Sequence, residues 1–299
     1  MAAVINTNLA SLFAQNSLSS AQGNLATSVQ RLSSGIRINS SKDDATGLAI
    51  AQSMQGKLNA LGVSEQNTQQ ASNLLQTADS VVGTVQDILL RMKQLSVEGS
   101  NDSISTTQKL NVRTELSTLN AQINNIAVGT TYNGISLLSS TSTTLSFQVG
   151  STTQAADQFA INTIDVRTTT ASGGTEMKAV GSFIADTNTP TSLANLTSSS
   201  TNAAFNTSFT ALTNSLDTAI ETLSSQRATL GAQMNALSYV NSNLLSQTSN
   251  LSASRSTIID TNFAAETASL TKGQIMQQAA TAMLAQANQM PNVILSLLK

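Results

Sequence analysis

Residues 209–258 read FTALTNSLDTAIETLSSQRATLGAQMNALSYVNSNLLSQTSNLSASRSTI and carry a large apolar residue at every seventh position. This row is termed the ladder, and its members are Phe209, Leu216, Leu223, Leu230, Leu237, Leu244, Leu251 and Ile258. A straight α-helix drifts by about 20° per heptad, so a sustained seven-residue repeat keeps to one face only if the helix coils around a partner. The ladder therefore predicts a long coiled-coil helix whose partners lie in the same chain, in other copies, or in both.

Two further segments carry helical repeats that can supply such partners. The first runs to about Gly99 and has two adjacent apolar rows, a pattern typical of a helix that touches more than one neighbour. The second has a single stripe that includes Val112, Leu116 and Ile123 and is expected to stop near Gly129. Together with the ladder they predict a bundle of long helices.

Both ends of the chain are amphipathic and free of charge. Residues 1–30 and 273–298 contain no charged side chain, although each segment has an apolar stripe at helical spacing. Because an unpaired charge is costly to bury, we interpret these ends as helices that pack against other copies of the chain. The first helix is expected over 5–36, and Pro291 is expected to kink the last one. The residues predicted to pack in this way are Ile5, Leu9, Leu12, Leu25, Val29 and Leu32 in the first helix, and Met276, Met283, Met290, Ile294 and Leu297 in the last.

The middle of the chain has a different period. Leu145, Phe147 and Val149 alternate with polar residues, and Asn133-Gly134 is a turn signal, so 130–170 is predicted to form a β-hairpin. Residues 171–204 are rich in Thr, Ser, Gly and Asn and show no apolar period, which indicates a short variable surface segment.

Composition excludes several classes of function. The chain has no Cys and no His, which removes thiolate nucleophiles, Cys or His zinc sites and Ser-His-Asp triads. Its net charge of -2 offers no basic footprint for nucleic acid. The Lys42-Asp43-Asp44 triplet contains a carboxylate pair, but such a run is typical of a helix N-cap. We expect no enzyme activity, no cofactor, no metal, no membrane insertion and no cleavable signal peptide.

The segments are arranged as a mirror image about the β region. We predict a mainly α protein in which the N- and C-terminal arms form a long coiled-coil helix bundle, with a small β-hairpin mid-chain. The terminal helices (1–42 and 256–299) should pair as an inner core, and 43–170 with 205–255 should form the bundle. A subunit with such incomplete ends suits head-to-tail contacts that do not close, as in a filament.

Three motifs carry a resemblance to a known family. They are MAAVINTNLASLFAQNSL at 1–18, RLSSGIRINSSKDDATGLAIA at 31–51 and ANQMPNVILSLLK at 287–299. The chain closely resembles bacterial flagellin over roughly 1–170 and 205–299, in a minimal form without large outer domains. The resemblance implies a structural subunit that is secreted unfolded by the flagellar type III system and polymerises into the extracellular filament that drives swimming.

The resemblance also implies partners. These are many copies of the chain itself, an export chaperone, the cap protein and the hook-filament junction proteins. It further implies contact with a host Toll-like receptor, through the positions occupied by Arg91, Leu95 and Glu115; without the resemblance, Arg91 and Glu115 read as solvated helix-face charges. O-linked glycans on the Ser/Thr-rich 139–204 segment stay open against a plain flexible loop.

Two other functions are compatible with the sequence. A hook-filament junction protein shares the terminal helices but assembles as one thin ring. A type III effector or translocator, acting on host membranes, shares the composition of exported coiled-coil proteins. Electron microscopy separates the first alternative from the filament subunit, and liposome leakage would support the second.

Overall fold

The computed structural model describes residues 8–139, 144–152, 154–168, 175–185 and 192–297. Long helices dominate these ranges, as the sequence predicted, and the strands are confined to the middle. In chain order the elements are α1 (Leu9–Ser34), α2 (Ala45–Gly99), α3 (Thr106–Gly129), β1 (Thr131–Tyr132), β2 (Ile135–Ser136), β3 (Thr144–Gln148), β4 (Gln158–Asn162), α4 (Thr175–Ala185), α5 (Asn202–Ile259) and α6 (Phe263–Leu297).

The chain divides into two compact units. The first contains 1–59 and 248–299, and the second contains 60–247. Both boundaries fall inside the long helices α2 and α5, whereas the sequence-based division placed them after residues 42 and 255. Since α2 and α5 continue without a break across these positions, the sequence offers no loop or cap to mark them.

The first unit is built on the antiparallel pair α1 and α6. Asn8 caps α1 by accepting a hydrogen bond from the Ser11 N–H, and Gly35 ends the helix in the left-handed region at φ 72°, where its N–H donates to the Arg31 carbonyl. Small side chains are buried along the contact between the helices. They are termed the seam: Ser11, Ala14, Ala21 and Ser28 on α1, with Gly273, Ala280 and Ala287 on α6.

The second unit has its core along α2, α3 and α5. Ladder residues Phe209 to Leu244 are buried, as are Leu75, Val82 and Leu89 of α2 and Leu116 and Ile123 of α3. Leu251 and Ile258, which belong to the first unit, are half-buried. The Ser96 hydroxyl donates to the Phe209 carbonyl at 2.8 Å, which fixes α2 against the start of α5. The wide apolar face of α2 thus meets two neighbours, since both α3 and α5 contribute to this core.

The β region holds two separate antiparallel pairs rather than one hairpin. β1 and β2 are joined by Asn133-Gly134, whose φ values of 51° and 79° suit the tight turn that an Asn-Gly pair favours. β3 pairs with β4 so that Phe147 lies opposite Phe159. The Asn67 side chain of α2 donates to the Gln148 carbonyl at 3.0 Å and anchors the second pair.

The structure differs from the sequence-based expectation in the segment 171–204. This segment includes α4, in which Met177, Val180 and Ile184 are buried, and a short 3-10 turn in which Leu193 is also buried. These side chains join the core of the second unit. The expectation missed them because an eleven-residue helix with three inward side chains is too short to produce a visible period within a Ser/Thr-rich stretch.

The predicted ends of the helices need smaller adjustments. The first helix was expected over 5–36, whereas α1 runs from Leu9 to Ser34 and residues 1–7 lie outside the described ranges. α2 and α3 end at Gly99 and Gly129, where glycines predicted their ends. The last helix continues past Pro291 to Leu297.

Candidate interaction surfaces

Large apolar side chains lie uncovered on the pair α1 and α6. Phe13 is 76% exposed, Met283 is 63% exposed, and Leu9, Leu12, Val29, Ile275 and Met276 are also exposed. A soluble monomer gains nothing by presenting so many large apolar groups on one helix pair, and such surfaces mark interaction sites.

Several of these side chains border one groove between the two helices. The groove has a volume of about 530 Å³. It is termed the apolar groove and is lined by Ala10, Phe13, Ala14, Ser17, Met276, Ala279, Ala280, Met283, Gln286 and Ala287. No charged residue lines it. Its chemistry suits an apolar side chain or helix face from another protein molecule.

Charge is restricted to the other end of the same helix pair. A second groove, of about 750 Å³, contains Arg31, Glu266 and Lys272 among polar residues. Arg31 and Glu266 approach to 3.9 Å. The pair α1 and α6 therefore has one end that carries charge and one end that carries none.

The residues predicted to pack in the polymer core fall into three groups. Leu9, Leu12, Val29, Met276 and Met283 are exposed in the single chain. Leu25 and Leu32 are half-buried, and Cβ of Leu25 lies 3.6 Å from the position that a Cβ on Gly273 would take. Ile5 lies outside the described residues, and so do the side chains of Met290, Ile294 and Leu297.

The seam itself was not predicted from the sequence. Its signal is present, because Ala14, Ala21 and Ser28 are seven apart and so are Gly273, Ala280 and Ala287. A search for large apolar residues passes over such a row. Small residues let two helix backbones approach closely, so the seam holds α1 against α6 while the larger side chains stay outside.

The three positions assigned by resemblance to receptor contact do not share one environment. Arg91 donates to Glu115 at 2.9 Å, and both side chains are about half exposed. Leu95 is only 2% exposed and packs in the core of the second unit. Arg91 and Glu115 are therefore open to solvent, whereas the Leu95 side chain is covered by the protein's own helices.

The acidic pair after Lys42 has a local structural role. Asp43 accepts hydrogen bonds from the Ser40 N–H, the Ser40 hydroxyl and the Asn39 N–H at 2.9–3.1 Å. The bond from the Ser40 N–H is the main cause of a pKa for Asp43 below its ordinary value. Asp44 accepts from the Gly47 N–H at 2.9 Å in the first turn of α2. Both carboxylates cap backbone amides, as the N-cap interpretation predicted.

The described ranges also bear on membrane and metal binding. No helix there is apolar for long enough to span a bilayer. In the same ranges, no three acidic side chains gather into a group that would hold a metal ion.

Comparison with known proteins identifies similar chains. A model of the bacterial flagellin N-terminal helical region matches residues 5–143, and a model of the C-terminal helical region matches 213–298. Flagellin of Listeria innocua is 37% identical over 98% of this chain and 99% of its own length. Flagellin of Bacillus subtilis is 35% identical, with 99% of each chain covered. A crystal structure of Bacillus cereus flagellin aligns with a TM-score of 0.45 and 27% identity, over 64% of this chain and 94% of that one.

Proposed function

This chain belongs to the bacterial flagellin family and is a structural subunit of the flagellar filament, and we propose that it polymerises through the faces of α1 and α6 that its own fold leaves uncovered. The observation that carries the proposal is the exposure of Phe13, Met276 and Met283 around the apolar groove. Burying one such side chain contributes about 1.5–3 kcal/mol, so a few contacts per subunit are enough to drive assembly.

The way in which α1 is held supports the same conclusion. Its contact with α6 buries mostly Ala, Ser and Gly, which contribute little apolar area per residue. Isolated helices are marginal in water, and a narrow seam adds only modest stability. Neighbouring copies would complete this helix pair, because they would cover the large apolar side chains that lie outside the seam.

Because these faces carry no charge, they are suited to burial among other subunits in the interior of a filament. Residues 1–30 and 273–298 can be surrounded by other subunits without leaving an ion unpaired. We therefore place the terminal helices (1–42 and 256–299) in the inner layer of the filament. The polymer-core residues Ile5, Met290, Ile294 and Leu297 belong to this proposal through the same apolar stripes.

Family membership, rather than any contact in the monomer, supports the proposed export route and partners. The chain would leave the cell unfolded through the flagellar type III system and act outside it, with an export chaperone, the cap and the hook-filament junction proteins as its helpers. A chain without Cys needs no disulfide chemistry after such a passage. The proposed role involves no catalysis and no cofactor.

Deletion of residues 276–299 tests the polymerisation proposal. The truncated chain loses Met276, Met283 and the C-terminal part of the seam, while the core of the second unit is untouched. We expect a helical monomer that forms no filaments under conditions in which the full chain polymerises, as seen by sedimentation and electron microscopy. Filaments of the truncated chain would refute the proposal, and short rings from the full chain would favour a hook-filament junction protein.

Recognition by a Toll-like receptor is a second proposal, supported by the exposed pair Arg91 and Glu115. Arg91→Ala and Glu115→Ala should each weaken activation of receptor-bearing reporter cells by monomeric protein. Lys57→Ala, at an exposed position elsewhere on α2, is the matched control and should leave the response unchanged. Equal responses from all three variants would remove the pair from the proposed contact.

A further inference from the structure

Lys109 is the most unusual buried side chain of the second unit. It lies in the first turns of α3 and is 0% exposed, although it carries an amine that normally stays in water. Its Nζ lies 2.5 Å from Oδ1 of Asn206 in the first turns of α5. The fully covered amine of Lys109 is thus in direct contact with the half-buried primary amide of Asn206.

Asp102 completes a three-membered group. The Asn206 Nδ2 donates to the Asp102 Oδ1 at 2.6 Å, and the same carboxylate oxygen lies 3.8 Å from Nζ of Lys109. Asp102 belongs to the loop between α2 and α3, and its side chain is 75% exposed. A group that can carry protons therefore touches the amide nitrogen, lies near the amine and remains open to water.

The surrounding structure fixes the three residues. Ser105 and Gln108 form a capping box that sets the start of α3, and Gln108 directly precedes Lys109 in the chain. Asn206 lies in α5 between Phe205 and Phe209, both fully buried, with ring centroids 6.4 Å apart. Because both supporting helices are anchored, the folded chain holds the amine and the amide close together without further rearrangement.

We propose that Lys109 and Asn206 become joined by an intramolecular amide bond, with Asp102 as the proton carrier. A carbonyl bond is about 1.2 Å long, so Nζ is at most about 3.7 Å from Cγ of Asn206, close to the distance at which neighbouring groups react. Effective concentrations for groups held this way far exceed those in solution. No cofactor or oxidant is needed, because the reaction only exchanges one amide nitrogen for another.

The Lys109 ammonium gives one proton to the Asp102 carboxylate, and the resulting amine attacks Cγ of Asn206 while the carbonyl electron pair moves to Oδ1. Asp102 then passes its proton to Nδ2 and takes a second proton from the attacking nitrogen. The Cγ–Nδ2 bond breaks as the carbonyl reforms, and ammonia leaves with the remaining proton as ammonium. The chain retains one new amide bond, and Asp102 is again a carboxylate.

Such a bond would tie the start of α3 covalently to the start of α5. The closed loop runs from 109 to 206 and includes both strand pairs and α4. Cross-links that close long loops restrict the unfolded chain most strongly. The bond can form only after folding, since only the folded chain brings these residues together.

Tryptic mapping of the purified, refolded full-length chain tests the inference once its intact mass has stopped changing. Trypsin cuts after Lys93, Lys109, Arg113, Lys178 and Arg227. Cross-linking blocks cleavage at Lys109, so we expect one species that joins peptide 94–113 to peptide 179–227 and is lighter than their sum by one ammonia, about 17 Da. Separate peptides 94–109 and 179–227 from folded protein, without the joined species, would overturn the inference and leave an ordinary hydrogen-bonded lysine.

Two variants separate the chemistry from the fold. Lys109→Arg keeps the positive charge but should give only separate peptides. Asp102→Asn changes an exposed side chain, so it should fold normally and form the joined species at least tenfold more slowly. Joining of Asp102→Asn at the rate of the unaltered chain would remove Asp102 from the mechanism.

Discussion

The guanidinium of Arg227 in α5 binds the carboxylate of Asp79 in α2 through two hydrogen bonds, of 2.9 Å and 3.3 Å, although the residues are 148 apart in sequence. Arg227 also donates to the Gln86 side chain at 3.1 Å, one helical repeat further along α2. The pair therefore fixes the register between the two longest helices. Apolar heptads alone would leave that register less certain, because sliding by seven residues superimposes similar side chains.

The energy of this pair should be small but measurable. A double-mutant cycle with Asp79→Asn and Arg227→Gln should give a coupling of about 0.5–1 kcal/mol at low salt, because Arg227 is partly exposed and solvent screens the interaction. Urea unfolding of the four proteins measures it. The coupling should shrink in 1 M salt as an ion pair does, since the Debye length falls to about 3 Å. Zero coupling at low salt would show that the register is set by packing alone.

The hydrogen bonds from Arg227 to Asp79 raise the pKa of Arg227 above its ordinary value. For a basic group with a raised pKa in the folded state, the stabilisation is complete below the unfolded pKa and is lost only as the pH rises through the folded one. Both lie far on the alkaline side. The Arg227 contribution should therefore be independent of pH across the neutral range.

The ladder predicts a large cost for losing a buried rung. Leu237 is almost fully buried, so Leu237→Ala should lower the free energy of unfolding by about 2–5 kcal/mol through lost transfer energy and a cavity. Leu245 is a neighbouring leucine of α5 that lies outside the ladder and is 49% exposed. Leu245→Ala is the matched control and should cost less than about 1 kcal/mol in the monomer. Equal effects in urea unfolding would mean that the ladder does not mark the buried side of α5.

Side chains around the apolar groove should affect assembly and not monomer folding. Met276→Gln together with Met283→Gln should raise the critical concentration for polymerisation by roughly tenfold or more, because each buried methionine contributes about 1.5–3 kcal/mol to the assembled state. Turbidity and electron microscopy over a concentration series measure the change. Gln278→Ala, at an exposed α6 position outside the groove, is the control. An unchanged critical concentration in the double variant would place the subunit contacts elsewhere.

Acid should loosen the turn around Asp43. Hydrogen bonds to its carboxylate, chiefly from the Ser40 N–H, lower the pKa of Asp43 below 3.8. A depressed carboxylate pKa contributes stability that is present above the unfolded value and is lost as the pH falls through the folded value. Protection of the Ser40 and Asn39 amide protons against exchange should therefore be lost only as the pH falls through the lowered pKa of Asp43. In Asp43→Asn the same amides should be poorly protected at every pH, and a normal profile in that variant would exclude the carboxylate as their partner.

Sequence reasoning succeeded where a single period extends over many residues. The ladder, the apolar rows of α2 and the Asn133-Gly134 turn each rest on local rules that tertiary contacts do not override. Sequence reasoning did not predict contacts that depend on small residues or on only a few residues. The seam uses Ala and Gly, which a search for large apolar residues ignores, and α4 presents only three inward side chains.

The candidate interaction surface was likewise only partly predictable from the sequence. The sequence could predict that Met276 and Met283 lie on one face, but whether α1 or another copy covers that face depends on how closely the two helices approach. That distance is set by the small seam residues Ala280 and Gly273. The contact between Lys109 and Asn206 is unpredictable from sequence, because it needs the loop at Asp102 to bring α3 against α5 across 97 positions.

Packing of α4 can be tested by substituting two glycines, one in a crowded position and one in an open position. A Cβ on Gly181 of α4 would lie 1.7 Å from the Thr168 carbonyl oxygen, whereas one on Gly231 of α5 would meet nothing within 4 Å. Gly181→Ala should therefore destabilise the protein by about 1–3 kcal/mol, because the helix has to move away from a backbone atom that cannot yield easily. Gly231→Ala should stabilise it by about 0.5–1 kcal/mol, since alanine lowers the entropy of the unfolded chain and favours a helix. Urea unfolding measures both changes. If Gly181→Ala behaved like Gly231→Ala, α4 would not be packed against Thr168, and the segment would be the loose surface connection that its composition suggests.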